Sequence, residues 1–304
     1  MDQVETLTMR EGVLLTHALL AYLASENDIR VLFVKGPGVV LQGLREGHQS
    51  TDADVLIEPQ KFDQFLTLIE SRGWLRRPSD PDGERFPTHS VTYYHPQWPN
   101  DIDAHKSFPG FEANSDTAFD VMWDGHTTVR MANREIPVPS LEASRLILAV
   151  HSLRSEWKHR EQREYDFLLG LEISDQKAFL SICTGVGALA AARPFIAAKL
   201  GDDVISEWPK PSPEWVFRLS AKTGGLGRWH MLRQTPWQKI PRTVWRDLFP
   251  PTEVLLMNNL YTNTTPIGLA KAYLARFKSA MRTLLLSRSK LNVRSTQAKS
   301  RSDI

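Results

Sequence analysis

Asp52 and Asp54 stand two residues apart at the start of an apolar run, Asp52-Ala-Asp-Val-Leu-Ile. On a strand, residues i and i+2 point the same way, so both carboxylates would face one side. Held close, they repel one another unless a cation sits between them. Mg²⁺, or Mn²⁺ in its place, takes oxygen ligands. It suits a carboxylate pair joined by a substrate's phosphates. The competing reading is a polar strand entry facing water. Asp101-Ile-Asp-Ala-His repeats the spacing later in the chain, with His105 in register. Asp103 sits deeper in that strand and is the better third carboxylate. Asp101 reads as a turn residue after Pro99-Asn100. Three carboxylates from neighbouring strands suffice for a two-metal site. One ion would lower the pKa of an attacking hydroxyl, and the other would stabilise a leaving pyrophosphate.

A second feature lies upstream. Residues 30–34 form a short β-rich run that ends in Lys35-Gly-Pro-Gly. That motif reads as a turn into a helix near residues 38–45. Gly36 and Gly38 at a helix start would expose backbone N–H groups to an anion, and Lys35 adds a point charge for phosphate. Simple turn geometry also explains the glycines. The Gly-x-x-x-x-Gly-Lys spacing of a Walker loop is absent.

The elements that must position these residues alternate. Residues 9–25 show helical spacing through Val13, Leu14, Ala18, Leu19, Tyr22 and Leu23. Residues 60–72 read as another helix, stopped by Gly73. Residues 74–100 suit a β-meander with Ser90-Val-Thr-Tyr-Tyr-His as a strand. From Ser140 the character turns helical, with Ser140 as N-cap and Glu142 in the first turn. Further helices are expected near 160–173, 176–200 and 266–286. The predicted division is residues 1–138, a helical domain over 139–286, and a basic tail over 287–304.

Composition narrows the classes. One cysteine, Cys183, excludes a disulfide framework and a multi-cysteine zinc site, and reads as a packing residue in a reducing cytoplasm. No signal peptide or membrane-spanning run is expected. From Lys271 to Ile304, nine Lys or Arg stand against one acid, Asp303. Such a tail either contacts RNA or anionic lipid or is a solvated terminus. No Gly-x-Ser-x-Gly or Gly-x-Gly-x-x-Gly occurs, which leaves a serine hydrolase or dinucleotide fold without support.

Taken in order, Phe33-Val-Lys-Gly, Thr51-Asp-Ala-Asp-Val-Leu-Ile and Asp101-Ile-Asp-Ala-His resemble the bacterial nucleotidyltransferase-like proteins of the DNA polymerase beta superfamily. The likeness is to the branch with Lys-Gly where most members have Gly-Ser. Val150-His-Ser-Leu-Arg-Ser-Glu-Trp-Lys and Tyr165-Asp166 resemble that branch's helical signature. The resemblance spans about residues 10–172. It implies an α+β fold, with an N-terminal nucleotidyltransferase-type mixed sheet flanked by helices and a mainly α-helical C-terminal domain. It implies Asp52, Asp54 and Asp103 as metal ligands and catalytic residues, with Lys35, Gly36 and Gly38 on the nucleotide. Lys158 or Arg160 would reach the phosphates from the helical region. His105 would orient Asp103 or touch substrate. His151 is a pocket candidate that also reads as a structural histidine. The chain departs from the branch at Pro37 and before Asp-x-Asp, where His48-Gln49-Ser50, with Arg45 earlier, replaces the usual arginine.

The implied activity is NMP transfer from an NTP to an acceptor hydroxyl on a small molecule, sugar, protein or tRNA. Two competitors stand beside it. One is a glycosyltransferase holding a metal and nucleotide-sugar through Asp-x-Asp. The other is a non-catalytic nucleotide-binding module.

Overall fold

A computed structural model of the chain describes residues 6–47, 49–78, 88–154, 159–220, 237–250, 252, 255 and 263–278. Strand periodicity explains how the sheet acquires two unlike faces. Five strands pair in the order β1-β2-β5-β4-β3, with β1 at Val31–Phe33, β2 at Asp52–Ile57, β3 at Leu75–Arg76, β4 at Ser90–Tyr94 and β5 at Asp101–His105. β2 and β5 run parallel, and the other pairs are antiparallel. Ala53, Val55, Ile57, Ile102 and Ala104 fall on one side and enter the hydrophobic core. The alternate residues, Asp52, Asp54, Asp103, His105, Ser90 and Thr92, are thereby sent to the other face.

Helix α1 (Met9–Glu26) packs on the apolar face. A capping box starts it: the Glu11 N–H donates to Thr8 Oγ1, and the Thr8 N–H donates to Glu11 Oε2 at 2.8 Å. Asn100, buried before β5, exchanges hydrogen bonds with Thr16 of α1. Gly12 makes that approach possible, because a Cβ there would stand 2.7 Å from both Asn100 Oδ1 and Pro99 Cγ. We therefore expect Gly12→Ala to cost about 1–3 kcal/mol through overpacking. Urea unfolding reads this directly, and an unchanged midpoint would refute the packing role assigned to Gly12.

Helix α2 (Gly36–Leu41) is shorter than the 38–45 expected, and Gly43 at φ +73° follows it. Helix α3 (Phe62–Ser71) matches the amphipathic reading. Helix α4 (Ser115–Trp123) precedes a hairpin of β6 (Thr127–Met131) and β7 (Arg134–Val138). Its two-residue turn, Ala132-Asn133, has positive φ at both positions, the backbone of a type I′ turn. Val129, Met131, Ile136 and Val138 of the hairpin join the core beside α1 and β1.

Helix α5 (Leu141–Arg154) follows at once, with the Ala143 N–H donating to Ser140 Oγ. It is buried over nearly its whole length, including the ion pair Glu142–Arg145 at 2.8 Å. Helix α6 spans His159–Gly170. The stretch expected as one helix over 176–200 is two, α7 (Gln176–Gly185) and α8 (Leu189–Leu200). Gly187 at φ +70° breaks them. A Cβ at that position would meet Ala113 N at 2.8 Å.

The chain divides into two compact units, residues 1–77 with 86–215, and residues 78–85 with 216–304. Helices α5 to α8 therefore belong to the same unit as the sheet. In the second unit, α10 (Ile240–Leu248) and a helix over 266–278 are described, following α9 (Pro213–Ser220), which spans the division. The basic tail over 287–304 lies outside the described residues. No described helix is long and apolar enough to cross a membrane.

Cys183 is fully buried in α7, and burial pushes its thiol up to about 12. The thiolate is the reactive form. Native protein at pH 8 should resist a thiol reagent that labels it fully in denaturant, and rapid native labelling would contradict this burial.

Candidate active site

The parallel register of β2 and β5 sets Asp54 beside Asp103 and Asp52 beside Asp101. One carboxylate oxygen each of Asp54 and Asp103 and a nitrogen of His105 lie within 4.8 Å of one another. His105 Nε2 is 3.0 Å from Asp54 and 3.1 Å from Asp103, so one ring nitrogen joins two strands' carboxylates. Lys35 Nζ lies 2.5 Å from Asp54. Thr92 Oγ1 on β4 donates to Asp103 at 3.2 Å.

Charges this deep are tolerable only as a set. Burial opposes ionisation of Asp54, yet Lys35 and His105 together hold its carboxyl below the usual range. Burial also opposes ionisation of Asp103, and His105 and Lys35 overcome it in the same direction. Burial disfavours charged His105, but Asp103 and Asp54 outweigh it and raise the imidazole. Asp52 differs. Burial and the neighbouring Asp54 charge push it up, and its carboxylate accepts from Ser50 Oγ at 3.2 Å. Asp52 is outside the tight group of three, although it shares their face.

Lys35 reaches Asp54 through an unusual backbone, φ +63° and ψ −155°, followed by Gly36 at φ +56°. A side chain in this region costs about 1–3 kcal/mol and persists where the surroundings enforce it. The Val34 N–H donates to Asp54 O at 3.1 Å, which pins the chain just before the turn. His17 lies beneath this turn, fully buried. Its Nδ1 hydrogen-bonds Val13 O at 2.7 Å, while Nε2 has no partner. Burial lowers its pKa, so it is held neutral.

The other expected residues separate. Asp101 begins β5 instead of lying in a turn, and Arg77 grips it with two hydrogen bonds. That engagement keeps it out of the cluster. Gly38 packs near Val138 and Phe33 of the core. His151 lines a cleft with Lys35, His105, Phe108, Pro109, Phe111, Ile147, Val150 and Arg154. Burial, then Lys35 and Arg154, hold His151 well below its ordinary pKa. Arg160 lines a different groove of about 630 Å³ with Arg163 and Arg45. Arg45 does not stand in for an arginine at Asp-x-Asp, because it bonds Glu164 on α6 at 2.7 Å. Lys158 and His48 lie outside the described residues.

The sequence reading did not single out His17, Ser50, Thr92 or Arg154. Thr92 carried a usable signal, since Ser90 and Thr92 alternate on β4 as Asp101 and Asp103 do on β5. The donor set fits a divalent cation: two ionised carboxylates converge, and a third is two residues away. Lys35 and His105 supply the counter-charge that such an ion would bring. His105 Nε2 could ligate an ion that accepts imidazole only after losing its proton and releasing Asp54 and Asp103.

Residues 5–193, well over half of the chain, match the family described as uncharacterised nucleotidyltransferase. The chain belongs to that family. Its mixed sheet with a helical C-terminal region agrees with the fold class expected for it. No curated protein matches the chain. Among solved structures, it is similar to an antigenic nucleotidyltransferase-like protein from Paracoccidioides brasiliensis, at 13% identity and TM-score 0.38, covering 62% of this chain and 91% of that one. It is also similar to the lincosamide antibiotic adenylyltransferase LnuA, at 18% identity and TM-score 0.35, covering 51% and 94%. A third is the antibiotic-resistance factor ANT(2'')-Ia, at 11% identity and TM-score 0.38, covering 60% and 95%. At these TM-scores the three likenesses carry no functional assignment.

Proposed function

We propose that this chain moves an NMP group from an NTP to an acceptor hydroxyl and releases pyrophosphate. The observation that carries the reading is the convergence of Asp54 and Asp103 beside Lys35 on one sheet face. Asp52, Asp54 and Asp103 would hold the divalent cation, Mg²⁺ or Mn²⁺, which supplies charge stabilisation to the phosphates and acidifies the hydroxyl. The acceptor oxygen forms a bond to the α-phosphorus as the bond from that phosphorus to the bridging β-oxygen breaks. The acceptor's proton passes to Asp103, which His105 and Thr92 hold in position. Lys35, aimed by its strained turn, faces the negative charge of the phosphates. ATP serves as a representative donor.

The glycosyltransferase and binding-module readings have no observation in their favour. A chain with one buried thiol suits the cytoplasm, where NTPs are abundant.

Calorimetry tests the nucleotide half of the reading. ATP should bind saturably, only with a divalent cation, and not detectably to Asp54→Asn. Equal binding without the cation, or by the variant, would overturn it.

A further inference from the structure

A groove between α6 and the loop over residues 45–47 shares no lining residue with the carboxylate cluster. Of its 630 Å³ to the open mouth, about 210 Å³ is space that a bound body can fill. One buried water needs only about 10–15 Å³ on that measure, so a small organic molecule fits. The α6 wall is one helical face, with Arg160, Arg163, Glu164 and Phe167 at i, i+3, i+4 and i+7. Glu164 is buried, and both its oxygens accept from Arg45 Nη2 at 2.7 Å. That acid is already neutralised. Arg160 and Arg163 are exposed and have no ion-pair or hydrogen-bond partner among the described residues. Among the lining residues, exposed Glu46 is the one acid left to oppose them. Phe167 is half-buried and adds an apolar surface.

Two guanidiniums three residues apart on a helix, with Cβ atoms about 5–6 Å apart, call for one group that accepts from both. A carboxylate has two oxygens and one charge, which a single guanidinium fork satisfies. A phosphomonoester has three terminal oxygens and about −1.5 to −2 charges at pH 7, enough for both forks. We propose that this groove binds a phosphomonoester, with the phosphate on Arg160 and Arg163 and the carbon body on Phe167. The Arg45 charge reaches buried His151, which also feels Lys35 and Asp54, so the groove lies near the carboxylates without being part of their cluster. The inference stands whether or not the carboxylates carry out NMP transfer.

The test titrates phenyl phosphate, benzoate and inorganic phosphate into the full chain by calorimetry at pH 8, without a divalent cation. Phenyl phosphate should bind about tenfold tighter than benzoate, the effect of one further charge-assisted hydrogen bond. It should also bind tighter than inorganic phosphate, which leaves Phe167 uncovered. The double variant Arg160→Gln with Arg163→Gln should weaken phenyl phosphate at least tenfold. Both arginines are exposed, so the fold should survive the change. Glu46→Gln removes the opposing charge and should tighten phenyl phosphate severalfold, a gain that damage to the protein does not imitate. The inference is overturned by no saturable binding of phenyl phosphate, by benzoate binding equally well, by inorganic phosphate binding more tightly, or by binding that survives in the double variant. Failure of the nucleotide reading shows separately. In the double variant the groove is silent, and ATP binding there without a divalent cation would count against that reading alone.

Discussion

Asp54→Asn should lower NTP-dependent turnover by about a hundredfold to a thousandfold or more, the scale seen when one preorganised electrostatic group is removed. Asp54 is the most deeply buried carboxylate of the cluster, holding Lys35 at 2.5 Å and His105 at 3.0 Å. Asparagine keeps the shape and removes the charge. The same change leaves the buried Lys35 ammonium short of a counter-charge, which costs about 3–5 kcal/mol when one partner of a buried pair is lost. The variant should therefore be both inactive and less stable in the absence of metal. Adding Lys35→Met separates the two effects. The double variant should regain stability by thermal denaturation while remaining inactive. If Asp54→Asn unfolds at the wild-type temperature, the buried charges are not coupled as described.

The second large effect is remote from the carboxylates. Arg145 is almost fully buried in α5 and donates to Glu142 at 2.8 Å and to Glu172 O at 2.8 Å. Ser174 Oγ donates to the other oxygen of Glu142 at 2.8 Å. The network ties α5 to the segment entering α7. Arg145→Ala strands Glu142 in the interior and should cost about 3–5 kcal/mol, a fall in Tm on the order of 10 °C. Glu142→Leu with Arg145→Met should recover most of it, since an apolar pair of similar volume replaces a buried ion pair at little cost. A single-variant loss under about 1 kcal/mol would show that the pair is solvated, contrary to its burial.

Much of the sheet was legible because its signal is local. The period-2 spacing of Asp52/Asp54 and Asp101/Asp103 gave both strands and the shared direction of their side chains. Register was not legible: nothing in β2 or β5 alone says that Asp54 stands beside Asp103 while Asp101 is taken by Arg77. His105 was seen as Asp103's companion, but its bond to Asp54 depends on that same register. Lys35 was chosen for its charge, while its positive φ, normally a glycine conformation, leaves no mark in the residue type. The break at Gly187 was visible as Gly-Val-Gly, but helical spacing continued through it and masked the stop. Arg154 needed the packing of α5 to reach the cleft, and no local pattern reports packing.

The central claim is that these carboxylates support transfer of the α-phosphoryl group of an NTP. The most direct measurement supplies NTPs labelled at the α- or γ-phosphate, with Mg²⁺ and a fractionated pool of acceptors. The account predicts that α-label appears on an acceptor together with free pyrophosphate, and that Asp54→Asn and Asp103→Asn abolish it. Transfer of γ-label instead, or α-label transfer by either variant at the wild-type rate, would contradict it.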